Sequence, residues 1–230
     1  MTANVVHQQN NMIIAFDLDG TISDPIVGVS ASINYALEKL GLPNKDKAAL
    51  EAYIGPPLQE IFTDLFGEEN DELIQSAIIF FRERYFSVGY TENVIYPGIK
   101  EILDWLAANG HKLYIATSKK TTIARAVADL FEITKYFEEI LGCGLKRKKY
   151  ELLNEIKERE DTENLVMIGD RLHDMKAGKE CHCFCIGVLW GYGSKEELLG
   201  SGADVICNNP NDIKGIINKM HNQILDPTAK

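Results

Sequence analysis

Four acidic residues stand out because their spacing could build a single charged site. Asp17 and Asp19 are separated by one residue and Asp170 and Asp174 by three, although the two pairs lie more than 150 positions apart. A carboxylate without a partner is costly to bury, so carboxylates that meet need a cation or several hydrogen bonds. Mg²⁺ prefers oxygen ligands and often completes its shell with a phosphate. The four residues therefore predict a magnesium-dependent site for phosphate chemistry.

The predicted secondary structure explains how the two pairs could meet. Short apolar runs predict six strands, at 12–16, 111–116, 137–141, 164–168, 184–190 and 203–207. Helical patterns lie between most of them, at 99–109, 121–130, 150–160 and 172–181. This alternation predicts an α/β fold with a doubly wound parallel sheet. Asp17, Thr117 and Asp170 each follow a predicted strand, and the carboxyl ends of parallel strands form one ligand-binding edge.

A second, all-helical unit interrupts this alternation after the first strand. The four helical patterns in it lie at 29–40, 46–53, 58–66 and 71–88. Prolines near 24–25 and 96–98 restrict the backbone at its two ends and predict hinges there. We therefore expect a loose N-terminal tail at 1–11, an α/β catalytic core at 12–24 and 96–230, and a helical cap at 25–95.

The residue types at the predicted edge suit phosphoryl transfer. A carboxylate can attack phosphorus and form an aspartyl-phosphate. The transferred group then needs hydroxyl and cationic partners for its oxygens, which Thr117 or Ser118 and a lysine from the run 146–149 could supply. Gly20 would let the backbone approach the phosphate closely. A single lysine of that run, taken alone, is better explained as part of a solvated basic turn, whereas the charge needs of phosphoryl transfer favour at least one of them serving the site.

The chain resembles the haloacid dehalogenase superfamily, in its phosphoglycolate phosphatase-like branch. The first motif of that family matches residues 17–21, the second 115–118 and the fourth 169–174, in family order and with a helical insert at the position of the family's cap. The resemblance implies a doubly wound Rossmannoid core carrying an inserted all-α cap of the C1 type. The third motif matches less well, because no proline follows its lysine here.

The resemblance also implies a role for each matching residue. Asp17 corresponds to the nucleophile and Asp19 to the general acid and base. The implied Mg²⁺ ligands are Asp17, the backbone carbonyl of Asp19, and Asp170, with Asp174 and Gly20 supporting the site. The implied phosphate-binding residues are Thr117, Ser118 and Lys149, with Lys148 as the alternative lysine.

These observations predict a Mg²⁺-dependent phosphatase of the phosphoglycolate phosphatase or 5′-nucleotidase type. Dehalogenases of the same superfamily lack an acid at the position of Asp19, and a phosphate ester benefits from an acid that protonates its leaving oxygen. Three alternatives stay open: a sugar phosphomutase, a dehalogenase, and a non-catalytic metal-binding protein of the same fold.

Three further segments have two interpretations each. Residues 55–58 are either a turn between cap helices or a loop over the substrate. Residues 190–194 lie at the end of the predicted strand 184–190, where Trp190 could pack in the core or line the rim of the site. Cys181, Cys183 and Cys185 alternate along the chain, which is typical of small buried residues on one face of a strand rather than of zinc ligands.

Composition limits the class of protein. The chain has 230 residues, a formal net charge of −10 and a 45% hydrophobic content, which is typical of a globular protein. The negative charge argues against nucleic acid and anionic membranes as partners and leaves a small phosphorylated metabolite as the expected one. Five cysteines without a signal peptide predict a cytoplasmic protein with free thiols. The oligomeric state is left open, and a monomer is compatible with it.

Overall fold

The computed structural model describes residues 11–144 and 147–225. The predicted tail therefore falls almost entirely outside the described residues, as does Lys146. The strands of the described part are β1 (Ile13–Phe16), β2 (Ser23–Asp24), β3 (Val94–Ile95), β4 (Lys112–Thr117), β5 (Phe137–Gly142), β6 (Leu165–Gly169), β7 (Phe184–Val188) and β8 (Val205–Cys207). The α-helices are α1 (Ile26–Lys39), α2 (Lys47–Leu50), α3 (Leu58–Phe66), α4 (Asp71–Ser87), α5 (Ile99–Ala108), α6 (Thr121–Leu130), α7 (Lys149–Glu160), α8 (Leu172–Glu180), α9 (Lys195–Gly200) and α10 (Asp212–Leu225).

Six strands form one parallel sheet in the order β5-β4-β1-β6-β7-β8. The central strand β1 pairs with β4 on one side and β6 on the other, and Phe16 stands opposite both Ile115 and Ile168. This register brings the residues that follow β1 and β6 to the same edge of the sheet. The strands are apolar on both faces because helices cover both faces of a parallel sheet.

The two faces of the sheet belong to different hydrophobic clusters. Ile14 and Phe16 of β1 pack in the cluster that contains α5, α6 and α10, whereas Ile13 and Ala15 pack in the cluster that contains α7 and α8. This alternation follows from the two-residue period of a strand. The predicted doubly wound α/β fold is confirmed.

Helices α1 to α4 lie between β2 and β3, and together they are called the helical insert below. Their apolar residues continue the cluster on the α5 and α6 face of the sheet, so the insert packs directly on the core. The helix α1 begins three residues earlier than predicted, at Ile26, whose backbone N–H donates to the Asp24 carboxylate at 3.0 Å. The predicted helix 46–53 is the single turn α2 followed by a 3-10 turn at Glu51–Tyr53.

The ends of the insert are joined by a small antiparallel pair that the sequence does not predict. In this pair Ser23 stands opposite Ile95 and Asp24 opposite Val94. Two-residue strands are too short to show a hydrophobic period, so no pattern could have indicated them. The division of the chain into a catalytic core at 12–24 and 96–230 and a cap at 25–95 stays a prediction.

The C-terminal third departs from the sequence prediction in two places. The strand predicted at 184–190 ends at Val188, because Trp190 leaves the sheet and its indole N–H donates to the carbonyl of Thr21 at 2.9 Å. Helices α9 and α10 have no counterpart in the prediction. No helix in the described parts of the chain combines the length and apolar character needed to cross a bilayer.

Candidate active site

Asp17 and Asp170 lie side by side at the carboxyl edge of the sheet. Asp17 follows β1, and its backbone N–H donates to the carbonyl of Ile168 at 2.9 Å, which extends the pairing with β6 by one residue. Asp170 follows β6, and Thr117 ends the neighbouring strand β4. All three side chains are buried. The register of the sheet thus assembles residues that are far apart in the sequence.

Three buried carboxylates form a cluster at this edge. Asp17, Asp170 and Asp174 each place one carboxylate oxygen within 4.8 Å of the others. The Asp170 carboxylate accepts hydrogen bonds from the Thr21 hydroxyl at 3.1 Å and from the backbone N–H of Tyr192 at 2.9 Å. Burial, followed by the charges of Asp174 and Asp17, raises the pKa of Asp170 well above its ordinary value. Three buried carboxylates this close together therefore need a positive charge nearby to stay ionised.

Lys149 supplies part of that charge. Its Nζ lies 2.8 Å from Oδ1 of Asp17 and also contacts Oδ1 of Asp174. Burial alone would lower the pKa of this lysine, but the two carboxylates outweigh burial and raise it. Burial raises the pKa of Asp174 to about 6, even though Lys149 acts in the opposite direction.

The alternative lysine does not reach the cluster. Lys148 is exposed and precedes α7, where its backbone N–H donates to the Glu151 carboxylate at 2.6 Å. Lys149 is the first residue of the helix and is 7% exposed. Of the two candidates, the structure brings Lys149 to the carboxylates and leaves Lys148 at the surface.

A divalent cation fits the carboxylate cluster. Three carboxylates face a single lysine, and Lys149 pairs with Asp17 and Asp174 rather than with Asp170. All donors of the cluster are carboxylate oxygens, which are the ligands of hard cations such as Mg²⁺. The backbone of Gly20 packs so closely against Asp170 that a side chain has no room there: a Cβ at this position would lie 2.1 Å from Oδ2 of Asp170. Its φ of +80° also favours glycine.

Asp19 is buried at the same edge, but its side chain is not part of this cluster. Its Oδ2 contacts the ammonium group of Lys119, and its Oδ1 is buried with no hydrogen-bond partner among the described residues. Burial raises the pKa of Asp19, while Lys119 acts in the opposite direction. The turn that holds Asp19 is fixed by the backbone, since Gly20 N–H donates to the carbonyl of Ser23 at 2.8 Å.

Lys119 is a largely covered lysine at this edge that the sequence analysis did not single out. Besides contacting Asp19, its Nζ lies 4.9 Å from the ring centroid of Tyr85, which belongs to α4 of the helical insert. Its position two residues after Thr117 was the only signal available in the sequence.

Thr117 and Ser118 lie at the end of β4, next to Lys119. The Thr117 side chain is buried, and its hydroxyl accepts a hydrogen bond from the backbone N–H of Lys119 at 3.3 Å. Ser118 is half-buried and lies just beyond the strand. Both residues are therefore at the carboxyl edge, on the β4 side of Asp17.

Arg171 links the edge of the sheet to the helical insert and was also not singled out. Its guanidinium donates to the carbonyl of Ile54 at 2.7 Å, and its Nε donates to the Glu197 carboxylate at 3.0 Å. Gly55 follows Ile54 with a φ of +102°, and a Cβ there would lie 3.1 Å from Cγ of Arg171. The segment 55–58 therefore begins in contact with the loop that carries Asp170.

A cavity of about 570 Å³ lies beside the carboxylates, between the core and the helical insert. Its aromatic walls are Tyr96, Trp190 and Tyr192, and Arg171 also lines it. Trp190 is half-buried at this rim. The lining includes the neighbours of Asp170 but not Asp17, Asp19 or Lys149, so the cavity is adjacent to the cluster.

The alternating cysteines lie away from this edge. Cys181, Cys183 and Cys185 are buried in the cluster formed with α7 and α8, and all three are free thiols. Burial raises the pKa of Cys183 and of Cys185 to about 12. These thiols are therefore protonated at neutral pH and pack as small apolar groups.

Comparisons with known proteins identify the family of the chain. The sequence profile of the haloacid dehalogenase-like hydrolases matches residues 14–188. A 5′-nucleotidase from Pseudomonas aeruginosa is 40% identical over 190 residues, which cover 80% of this chain and 86% of that protein. A phosphoglycolate phosphatase from Vibrio parahaemolyticus is 25% identical over 223 residues, which cover 91% of this chain and 97% of that protein.

A solved structure extends the agreement to the whole fold. A haloacid dehalogenase-like hydrolase from Streptococcus pneumoniae matches with a TM-score of 0.84 at 27% identity, covering 90% of this chain and 98% of the other. The predicted family and the predicted phosphatase class are confirmed. The chain belongs to the haloacid dehalogenase-like hydrolase family and is a phosphatase of that family.

Proposed function

We propose that this phosphatase hydrolyses small phosphate monoesters through an aspartyl-phosphate formed on Asp17, with Mg²⁺ as cofactor. The contact of Lys149 with Asp17, beside the carboxylates of Asp170 and Asp174, carries the proposal. A buried carboxylate at the carboxyl edge of the sheet, with a cation against it, suits attack on an anionic phosphoryl group.

In the first half-reaction, a carboxylate oxygen of Asp17 forms a bond to phosphorus while the ester P–O bond breaks. The leaving oxygen receives a proton from Asp19, whose Oδ1 has no other partner among the described residues. Thr117 and Ser118 donate hydrogen bonds to the phosphoryl oxygens, and Lys149 balances their negative charge. The products of this step are an alcohol and the mixed anhydride on Asp17.

In the second half-reaction, the Asp19 carboxylate accepts a proton from water as the water oxygen attacks phosphorus. The bond between phosphorus and the Asp17 oxygen breaks, which releases inorganic phosphate and restores both carboxyl groups. Mg²⁺, held by Asp17, Asp170 and the backbone carbonyl of Asp19 with Asp174 in support, would neutralise charge on the transferred group when bound. Dependence on Mg²⁺ is typical of the family.

The helical insert supports the choice of a small substrate. Residues 25–95 act in this proposal as a cap that covers the carboxyl edge and keeps bulk water from the acyl-phosphate. Covering the edge favours metabolites over phosphorylated proteins. The relative named 5′-nucleotidase is more similar in sequence to this chain than the relative named phosphoglycolate phosphatase. Nucleoside 5′-monophosphates are therefore the first substrates to test, and phosphoglycolate is the second.

The test is a phosphate-release assay on nucleoside 5′-monophosphates, phosphoglycolate and hexose phosphates, with Mg²⁺ or with EDTA. We expect Mg²⁺-dependent release of phosphate from at least one class, and none from the Asp17→Asn variant. Conversion of a hexose phosphate into its isomer without phosphate release would instead identify a phosphomutase. No turnover of any ester with the metal present would contradict the proposal.

A further inference from the structure

Lys119 occupies a position that the proposed function does not yet use. Its side chain is 11% exposed, it contacts Oδ2 of Asp19, and the ring of Tyr85 covers it at 4.9 Å. A lysine surrounded in this way is neither a surface charge nor an open ligand for substrate. Its ammonium group contacts one carboxylate and one aromatic face, and of these two partners only Asp19 has a role in the proposed reaction.

The two oxygens of Asp19 have different environments. Oδ2 contacts Lys119, whereas Oδ1 is buried with no hydrogen-bond partner among the described residues. A carboxyl group tethered at one oxygen cannot rotate freely about its terminal torsion, which is otherwise broad. The tether therefore keeps Oδ1 available as the oxygen that exchanges a proton with the leaving group.

We propose that Lys119 is a positioning residue for Asp19, and that Tyr85 of the helical insert holds Lys119 in place. This inference rests on the proposed function, because it assigns Asp19 the proton transfer to the leaving oxygen. The ring belongs to α4 and the lysine follows β4, so the contact joins the insert to the core at the acid itself. A cation over an aromatic face gains most when water is excluded, and the Tyr85 side chain is 3% exposed.

The variant that tests the tether is Lys119→Met, which keeps the length of the side chain and removes its charge. Its effect should depend on the leaving group, because only a poor leaving group needs the proton. We expect kcat on an alkyl phosphate to fall about 10- to 100-fold, against less than about 3-fold on p-nitrophenyl phosphate. KM should change by less than about 2-fold on either ester, because a positioning residue makes no contact of its own with the substrate.

Two further variants separate positioning from a general structural role. Lys119→Arg keeps the cation and should recover most of the kcat on the alkyl ester. In the Asp19→Asn background, Lys119→Met should cause no additional loss on that ester, because the group it positions is already gone. Lys120→Met is the matched control: this neighbouring lysine is exposed and its loss should leave kcat unchanged.

The role of Tyr85 is tested by a pair of substitutions. Tyr85→Phe keeps the aromatic face and should leave the ratio of the two kcat values within about 2-fold of wild type. Tyr85→Leu removes the face and should shift that ratio in the same direction as Lys119→Met, by a smaller factor. Should the leucine variant not fold, the three Lys119 measurements still decide whether Lys119 positions Asp19.

Several results would overturn the inference. These are an equal loss on both esters for Lys119→Met, an increase in KM with kcat unchanged, and an additive loss in the Asp19→Asn background. Each of them, seen with an active wild type, contradicts the positioning role and leaves the phosphatase proposal intact. A wild-type protein that releases phosphate from neither ester would overturn the proposed function, and the inference with it.

Discussion

The guanidinium of Arg171 donates a 2.7 Å hydrogen bond to the backbone carbonyl of Ile54. Arg171 follows Asp170 in the core, whereas Ile54 belongs to the helical insert just before the segment 55–58. The Nε of the same guanidinium donates to the Glu197 carboxylate at 3.0 Å, so a contact within the core also orients the arginine. The bond to Ile54 joins the insert to the loop that carries Asp170.

Replacing Arg171 with methionine should weaken the contact between the insert and the core. The hydrogen bonds of a charged group are worth about 1.5–3 kcal/mol, so loss of the bond between Arg171 and Ile54 should lower kcat/KM about 10- to 100-fold. Steady-state kinetics on the best ester provide the measurement. Arg125→Met, which removes an exposed arginine from α6, should leave kcat/KM unchanged. Equal kinetics for both variants would show that the bond to Ile54 does not position the insert.

The Asp17→Asn variant should lose activity without losing its fold. The substitution keeps the volume of the side chain and removes the nucleophilic oxygen, so kcat should fall by about 10³-fold or more. Phosphate release measures the loss, and circular dichroism and thermal unfolding report on the fold. A variant that retained a tenth of the wild-type rate would show that Asp17 is not phosphorylated in the reaction.

The two adjacent lysines before and at the start of α7 should behave differently. Lys149→Met removes the cation that contacts Asp17 and should lower kcat by about 10²-fold, as loss of one stabilising charge at a phosphoryl site does. Lys148→Met removes an exposed charge and serves as the control. We expect its kcat to change by less than about 2-fold, because charges at the surface are screened by water. A larger loss for Lys148→Met than for Lys149→Met would contradict the assignment.

Mg²⁺ should raise the thermal stability of the protein through the carboxylate cluster. A ligand at 100 times its Kd adds about 2.7 kcal/mol to the free energy of unfolding. For a chain of this size, that corresponds to a rise in Tm of about 5–10 °C. Differential scanning fluorimetry with MgCl₂, against KCl of equal ionic strength, measures the rise. Asp170→Asn should reduce it markedly, and an identical shift in this variant would argue against Asp170 as a ligand.

The parts of the site that the sequence could predict lie at the ends of regular elements. Asp17, Thr117 and Asp170 follow apolar strands, and parallel strands place such residues at one edge whatever the details of packing. The family resemblance favours Lys149 over Lys148, because the family's lysine also stands at the beginning of a helix. In each case a local pattern determines the position of the side chain, so no knowledge of distant contacts was needed.

The parts that escaped prediction depend on contacts between the insert and the core. Lys119 meets Tyr85, and Arg171 meets Ile54, across a boundary that no periodicity describes. From the sequence, a lysine or an arginine near a strand end is equally well explained as a charge exposed to solvent. Only the packing of the helical insert on the core shows that these two side chains have partners.

The short antiparallel pair of β2 and β3 has a consequence for how such chains can diversify. Because Ser23 and Ile95 are partners, the polypeptide leaves the core and returns to it at adjacent positions. Everything between them can be lengthened, shortened or exchanged for another sequence without altering the order of the six-stranded sheet. Under the proposed function, recombination at this single crossing would change the residues over the substrate, and the phosphoryl chemistry would carry over where the new segment replaces the contact of Tyr85 with Lys119.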